Sequence, residues 1–176
     1  MDQGAIVVSV SGPRAGDGLS RKGVLYARIK LPLGHLNIFT THTQASYVEG
    51  TIEAELPSYI MRLKHLVSAK RFIYKTLDRM AGTTDSNLFV GDLNVNATAK
   101  NYPIQAVISQ FKDNLHGLPD FKPVNNNEYD LLMYIFNHSQ NQYYLRDTLY
   151  EEHNVFKVTY GDVVMDQGDG ESPAVL

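Results

Sequence analysis

The chain contains no cysteine. Disulfides and thiolate metal sites are therefore excluded, and the redox compartment is left open. It also lacks an apolar run of about 18 residues, the length a membrane span requires, so no transmembrane segment is expected. After Met1, the residues Asp2-Gln3-Gly4 supply neither a basic region nor a long apolar core. A secretion signal is not expected, and a cytoplasmic or membrane-peripheral location is. Basic residues are not in excess: 16 Lys and Arg stand against 19 Asp and Glu, a formal net charge of −3. That argues against a strongly basic nucleic-acid surface, although a local patch can hide in a neutral total. There is no internal repeat and no low-complexity linker. What remains is ordinary for a globular chain: 43% hydrophobic and 20% charged residues over 176 positions, enough for one domain with a sizeable core.

The most informative stretch is Asn87-Leu88-Phe89-Val90-Gly91-Asp92-Leu93-Asn94-Val95. Leu88, Phe89 and Val90 form an apolar run that suits a covered sheet strand. Gly91 lets the backbone turn or approach a ligand closely. Asp92 and Asn94 share parity, so an extended segment would send a carboxylate and a carboxamide from one face. Such a pair suits acid/base work beside a phosphate; the bland alternative is an Asx turn after a strand. Upstream, His35 to Thr41 makes another strand that ends on His42. A histidine there is either a structural group, hydrogen-bonded to a neighbour, or a proton carrier.

Around these two strands the pattern is regular. Ala5-Ile6-Val7-Val8-Ser9-Val10 reads as a buried strand. The glycine-rich loop Arg14 to Gly18 matches no phosphate-binding fingerprint and reads as a hairpin loop. Residues 22 to 30 alternate Val24, Tyr26, Arg28 and Lys30 with Leu25, Ala27 and Ile29, giving a strand with one apolar face and one face of longer polar groups. With Leu31-Pro32-Leu33-Gly34 as the connection, an antiparallel pair from 23 to 42 follows. Leu56, Ile60, Leu63, Leu66, Ala69, Ile73, Leu77 and Met80 predict a helix from Glu53 to Met80, with Pro57 in its first turn. Arg62, Lys64, Lys70, Arg71 and Lys75 read as its solvated face, and His65 as exposed. Pro103 opens a second helix, with Ile104, Val107, Ile108, Phe111 and Leu115 as its stripe. A third spans about Asn127 to Asn137, capped by an Asn at 125 to 127. Val155 to Tyr160 predicts a last strand. Asp162, Asp166, Asp169 and Glu171 depart from calcium-loop spacing and read as an exposed loop. The 11 tyrosines, Tyr143, Tyr144 and Tyr150 among them, suit packing, base stacking or a lipid headgroup.

Thr41-His42 with Gln44-Ala45, and Gly91-Asp92-Leu93-Asn94, together resemble the endonuclease/exonuclease/phosphatase superfamily, the fold of DNase I. Arg21-Lys22-Gly23-Val24-Leu25-Tyr26-Ala27 brings the resemblance closest to the neutral sphingomyelinase branch. It covers roughly residues 18 to 176. The resemblance implies a mixed α and β domain over residues 1 to 176, a four-layer α/β/β/α sandwich incomplete at both termini. It implies magnesium-dependent hydrolysis of a phosphoester, sphingomyelin to ceramide and phosphocholine, with a phospholipid or sphingolipid as partner rather than nucleic acid. In that scheme Asp92 orients or deprotonates the attacking water or serves a second metal. Asn94 binds a phosphate oxygen, Asp92 and Asn94 are the metal-ligand candidates, and His42 stabilises the phosphoryl group. Asn96 borders the cleft, Arg62 is structural, and Leu145-Arg146-Asp147 is the return towards the sheet. The family's principal magnesium-binding Glu, which precedes the Lys-Gly strand, has no counterpart, and neither does its closing Asp-His pair. The expectation is a fragment with open sheet edges, prone to self-association and weak or inactive as a catalyst. A nuclease of the same fold and a non-catalytic binding remnant are the alternatives.

Overall fold

A computed structural model describes residues 2–8, 22–46, 51–80, 85–97, 102–109, 127–137 and 143–153. The chain divides into Met1–Tyr144 and Leu145–Leu176. In the first unit, strands β1 (Asp2–Val8), β2 (Lys22–Leu31) and β3 (Gly34–His42) are followed by helix α1 (Ile52–Met80), strand β4 (Ser86–Asp92), and helices α2 (Ile104–Ser109) and α3 (Glu128–Asn137). In the second unit the described residues form α4 (Thr148–His153). Asp147 caps α4, its Oδ1 accepting the Tyr150 N–H at 2.9 Å, and Arg146 pairs with Glu151. Leu145-Arg146-Asp147 leads into this helix, where the cap and the ion pair favour a helical turn. The strand expected at 155–160, the acidic loop beyond it and the loop at 14–18 lie outside the described residues.

The four strands form one mixed sheet in the order β1-β2-β3-β4. β1, β2 and β3 are antiparallel neighbours, with Val24 opposite Thr41 and Tyr26 opposite Phe39. The two-residue connection at Pro32-Leu33 leaves Leu31 opposite Gly34, as expected for the hairpin. β4 then lies parallel to β3, with Phe39 opposite Phe89 and His42 opposite Asp92. A parallel partner needs a long crossover, and α1 supplies it.

Helices α1 and α3 cover one face of this sheet. Val24 and Tyr26 of β2, with Asn37, Phe39 and Thr41 of β3, are buried on that face. Tyr26 stacks on Phe39 at 4.9 Å, and Phe72 of α1 meets Phe39 edge-on at 6.2 Å. Phe136 of α3 stacks on Phe89 at 5.4 Å and meets Tyr74 of α1 at 6.3 Å. Burial of these rings, with Leu63, Leu66, Ala69, Ile73 and Leu77 of α1, is the main stabilising term.

Two strand expectations are reversed. In β2 the face bearing Val24, Tyr26 and Arg28 meets the helices, while Leu25 is 60% exposed and Ile29 is exposed too. The longer polar groups tolerate cover because they are paired. Tyr26 Oη donates to Asn37 Oδ1 at 2.9 Å, and Arg28 Nη2 donates to Asp85 Oδ2 at 2.9 Å. In β4, Leu88 and Val90 are exposed rather than covered, and Phe89 between them faces the helices. Leu25, Ile29, Leu31, Leu88 and Val90 therefore share one sheet face, opposite the helices.

Helix α1 has the expected extent but not the expected start or polar side. Thr51 caps it, its carbonyl accepting the Ala54 N–H at 3.0 Å. Pro57 consequently lies beyond the first turn, on the exposed side. Arg62 and His65 are buried, not solvated. The helix meets the sheet on one side and α2 and α3 on another, so more than one stripe is covered. Lys70 donates to the Ile135 carbonyl at 2.6 Å, and burial holds its pKa below the usual lysine value.

Candidate active site

The site is built where the parallel strands β3 and β4 end together. Register alone places His42 beside Asp92, on the last residue pair of the two strands. Their side chains leave the same face, and His42 Nε2 lies 3.7 Å from Asp92 Oδ2. That is too long for a hydrogen bond but close enough for both groups to act on one bound atom. Both are open to solvent, with side chains 58% and 64% exposed. His42, a hydrogen-bonded structural group or a proton carrier by sequence, thus stands exposed beside a carboxylate.

Gly91 makes the approach of these strands possible. Its φ of 135° lies in a region that side-chain-bearing residues rarely adopt. A Cβ there would sit 1.9 Å from the Thr41 carbonyl oxygen. Beyond Asp92 the strand stops, and the turn takes over. Asp92 Oδ1 accepts the Asn94 N–H at 3.0 Å, an Asx turn, and Asn94 takes a left-handed φ of 49°. The shared parity of Asp92 and Asn94 thus does not set where Asn94 lies; the turn does. The Asx turn and the functional reading coexist, because the turn uses Oδ1 and leaves Oδ2 towards His42.

Thr43 locks the two strand ends together. Its N–H donates to the Asp92 carbonyl at 3.0 Å, and its hydroxyl donates to the Leu93 carbonyl. The Asn94 side-chain Nδ2 returns a bond to the Thr43 carbonyl at 3.3 Å. His42, Asp92 and Asn94, the three residues singled out from the sequence, are thus brought to one place. Asn96 follows on the same connection and is exposed.

Sequence reasoning missed what stands behind this place. Arg62 of α1 is 2% exposed. Its Nε and Nη2 donate to Glu128 Oε1 and Oε2 of α3, at 2.7 and 3.0 Å, a bidentate fork. Its Nη1 donates to the Gln44 carbonyl at 2.9 Å and to Ser46 Oγ at 3.0 Å. The Tyr59 ring lies 4.9 Å from the guanidinium. Burial pushes the Glu128 carboxyl upward, with Arg62 opposing that shift. A signal was present: Arg62 is four residues before Leu66 and falls on the apolar spacing of α1. At the other end of the sheet, Asp85 accepts from Arg28, from the His35 N–H at 3.0 Å and from Asn37 Nδ2 at 3.4 Å. No periodic pattern announces that cluster.

The oxygen donors available to a hard cation are Asp92 Oδ2 and the Asn94 carboxamide oxygen. Among the described residues no group of three or more His, Asp or Glu side chains could hold a metal ion. Magnesium keeps several waters and takes one or two carboxylates together with phosphate oxygens. Asp92 and Asn94 therefore fit as a partial ligand set and not as a complete protein site.

No protein-family model and no curated protein matches the chain. Among solved structures, that of SmcL gives a TM-score of 0.46 at 23% identity, over 73% of this chain and 38% of its own. A beta toxin from Staphylococcus aureus gives 0.42 at 20% identity, over 58% of this chain and 33% of its own. The chain thus spans well under half the length of either. These likenesses assign neither fold nor activity by themselves.

Proposed function

We propose that the chain carries the Asp92, Asn94 and His42 part of a magnesium-dependent phosphoester hydrolase of the sphingomyelin phosphodiesterase type, within a four-layer sandwich of the DNase I kind. The observation that supports this reading is the meeting of His42 and Asp92 at the ends of adjacent parallel strands, with Asn94 held beside them. In the reaction a water oxygen bonds to phosphorus, and the bond from phosphorus to the ceramide oxygen breaks. Asp92 Oδ2 orients the water and takes its proton, which ends on the ceramide oxygen. The second N–H of the Asn94 carboxamide donates to a phosphate oxygen, the first being engaged with Thr43. His42 Nε2 donates to another. Magnesium, held in part by Asp92 and Asn94, would neutralise phosphate charge.

The test is phosphocholine release from sphingomyelin beside cleavage of a DNA duplex, each with magnesium and with EDTA. The expected result is slow, EDTA-sensitive lipid hydrolysis, reduced about 100-fold or more in Asp92→Asn. Cleavage of DNA alone would move the chain to a nuclease. No turnover of either substrate by folded protein would overturn the hydrolase reading.

A further inference from the structure

The residues that touch the site are exposed, yet the backbone beneath them is tied down from within. Gln44, Ala45 and Ser46 follow the His42-Thr43 pair directly. Such a segment beyond a strand end has no ladder to hold it and would ordinarily fray. Here two of its polar groups, the Gln44 carbonyl and the Ser46 hydroxyl, accept from one nitrogen, Arg62 Nη1. The other two nitrogens of that guanidinium, Nε and Nη2, each donate to Glu128. The group therefore cannot rotate without breaking two charge-assisted bonds on its far side.

We propose that Arg62 is a positioning residue, which with Glu128 clamps residues 44–46 and thereby holds Thr43 and His42 against Asp92-Leu93-Asn94. The chain of contacts is continuous. α3 holds Arg62 through Glu128, Arg62 holds Gln44 and Ser46, and Thr43 joins that segment to Asp92 and Leu93. A lysine cannot replace this arrangement, since a single ammonium cannot form the fork and reach the carbonyl together. The consequence for catalysis rests on the hydrolase reading; the clamp itself does not.

The experiment is amide hydrogen exchange at the Thr43 N–H, which donates to the Asp92 carbonyl. It is run on the 176-residue chain, on Arg62→Lys, on Glu128→Gln, and on the milder Ser46→Ala. Tyr74→Phe serves as a control that loses a buried hydrogen bond to Phe136 elsewhere. Arg62→Lys is expected to speed Thr43 exchange at least about tenfold more than it speeds amides in the middle of α1. Glu128→Gln and Ser46→Ala are expected to give smaller changes of the same kind, and Tyr74→Phe none that is specific to Thr43. If Arg62→Lys is too unstable to measure, Ser46→Ala and Glu128→Gln decide. Thr43 exchange that only follows global stability in all three variants overturns the clamp. Where hydrolysis is present, kcat is expected to fall in Arg62→Lys with little change in KM. Absence of hydrolysis in the unmodified chain sinks the hydrolase reading and leaves the exchange result to judge the clamp.

Discussion

At the scale of single residues, the site depends most on a position with no side chain. Gly91 sits where a Cβ would meet the Thr41 carbonyl, on a backbone geometry hostile to other residues. Gly91→Ala is expected to destabilise the chain by about 3 kcal/mol, measured by urea unfolding. It should also raise amide exchange at Thr43. Tyr74 makes a second prediction. Burial pushes its phenol from 10.0 up to about 12. Because the folded value lies above the unfolded one, the stability it contributes is full below pH 10 and is lost as pH rises towards 12. Burial also raises Tyr59 and Tyr102, Tyr59 with help from its bond to Glu55. Alkaline unfolding should therefore be steep, and Tyr74→Phe should make it shallower between pH 10 and 12, read by denaturant titrations at several pH values. Of the candidate site residues, Asp92, Asn94 and His42 were marked by polar groups at strand ends only weakly, and the family resemblance singled them out. The pairing of Arg62 with Glu128 was not legible, since one sequence gives no sign that the two residues, 66 positions apart, meet.

At the scale of elements, periodicity located the β2–β3 hairpin and nearly all of α1. It failed on which side of β2 is covered, because alternation separates two faces without saying which one meets a helix. It failed on the polar side of α1 for a related reason. A helix pressed from two directions buries residues that a single-stripe reading assigns to water. The third helix is a case where local chemistry sufficed. Asn127 caps α3, its Oδ1 accepting the Asp130 N–H at 2.8 Å, while its Nδ2 donates to the Ala97 carbonyl at 2.8 Å. Asn127→Ala removes both and should cost about 1–2 kcal/mol, seen as a lower urea midpoint with an unchanged slope. Because α3 carries Glu128, the same variant should loosen the Thr43 amide more than amides of β2.

At the scale of the molecule, the described residues of Met1–Tyr144 make two layers, helices on one face of a mixed sheet. The second sheet of a four-layer sandwich is not among them. On the uncovered face Leu25, Ile29, Leu31, Leu88 and Val90 are exposed together. Scattered apolar residues on a surface are ordinary, but a group on one sheet face is not. The chain should bind an apolar fluorescent dye under native conditions. Leu25→Thr with Val90→Thr should weaken that fluorescence while changing stability by less than about 1 kcal/mol. A large loss of stability would mean that this face is covered in solution.

The parallel pairing of β3 with β4 has a kinetic consequence. The β2–β3 hairpin closes over a two-residue connection and can form early. The bond from Thr43 to Leu93 spans 50 residues, with the 29-residue helix α1 between them. Closing so long a segment is entropically slow, and it becomes favourable only once α1 has docked on the sheet. During refolding, hairpin signals should therefore appear before His42 and Asp92 are neighbours. The approach of His42 to Asp92 would arrive last, as a late reporter of helix docking.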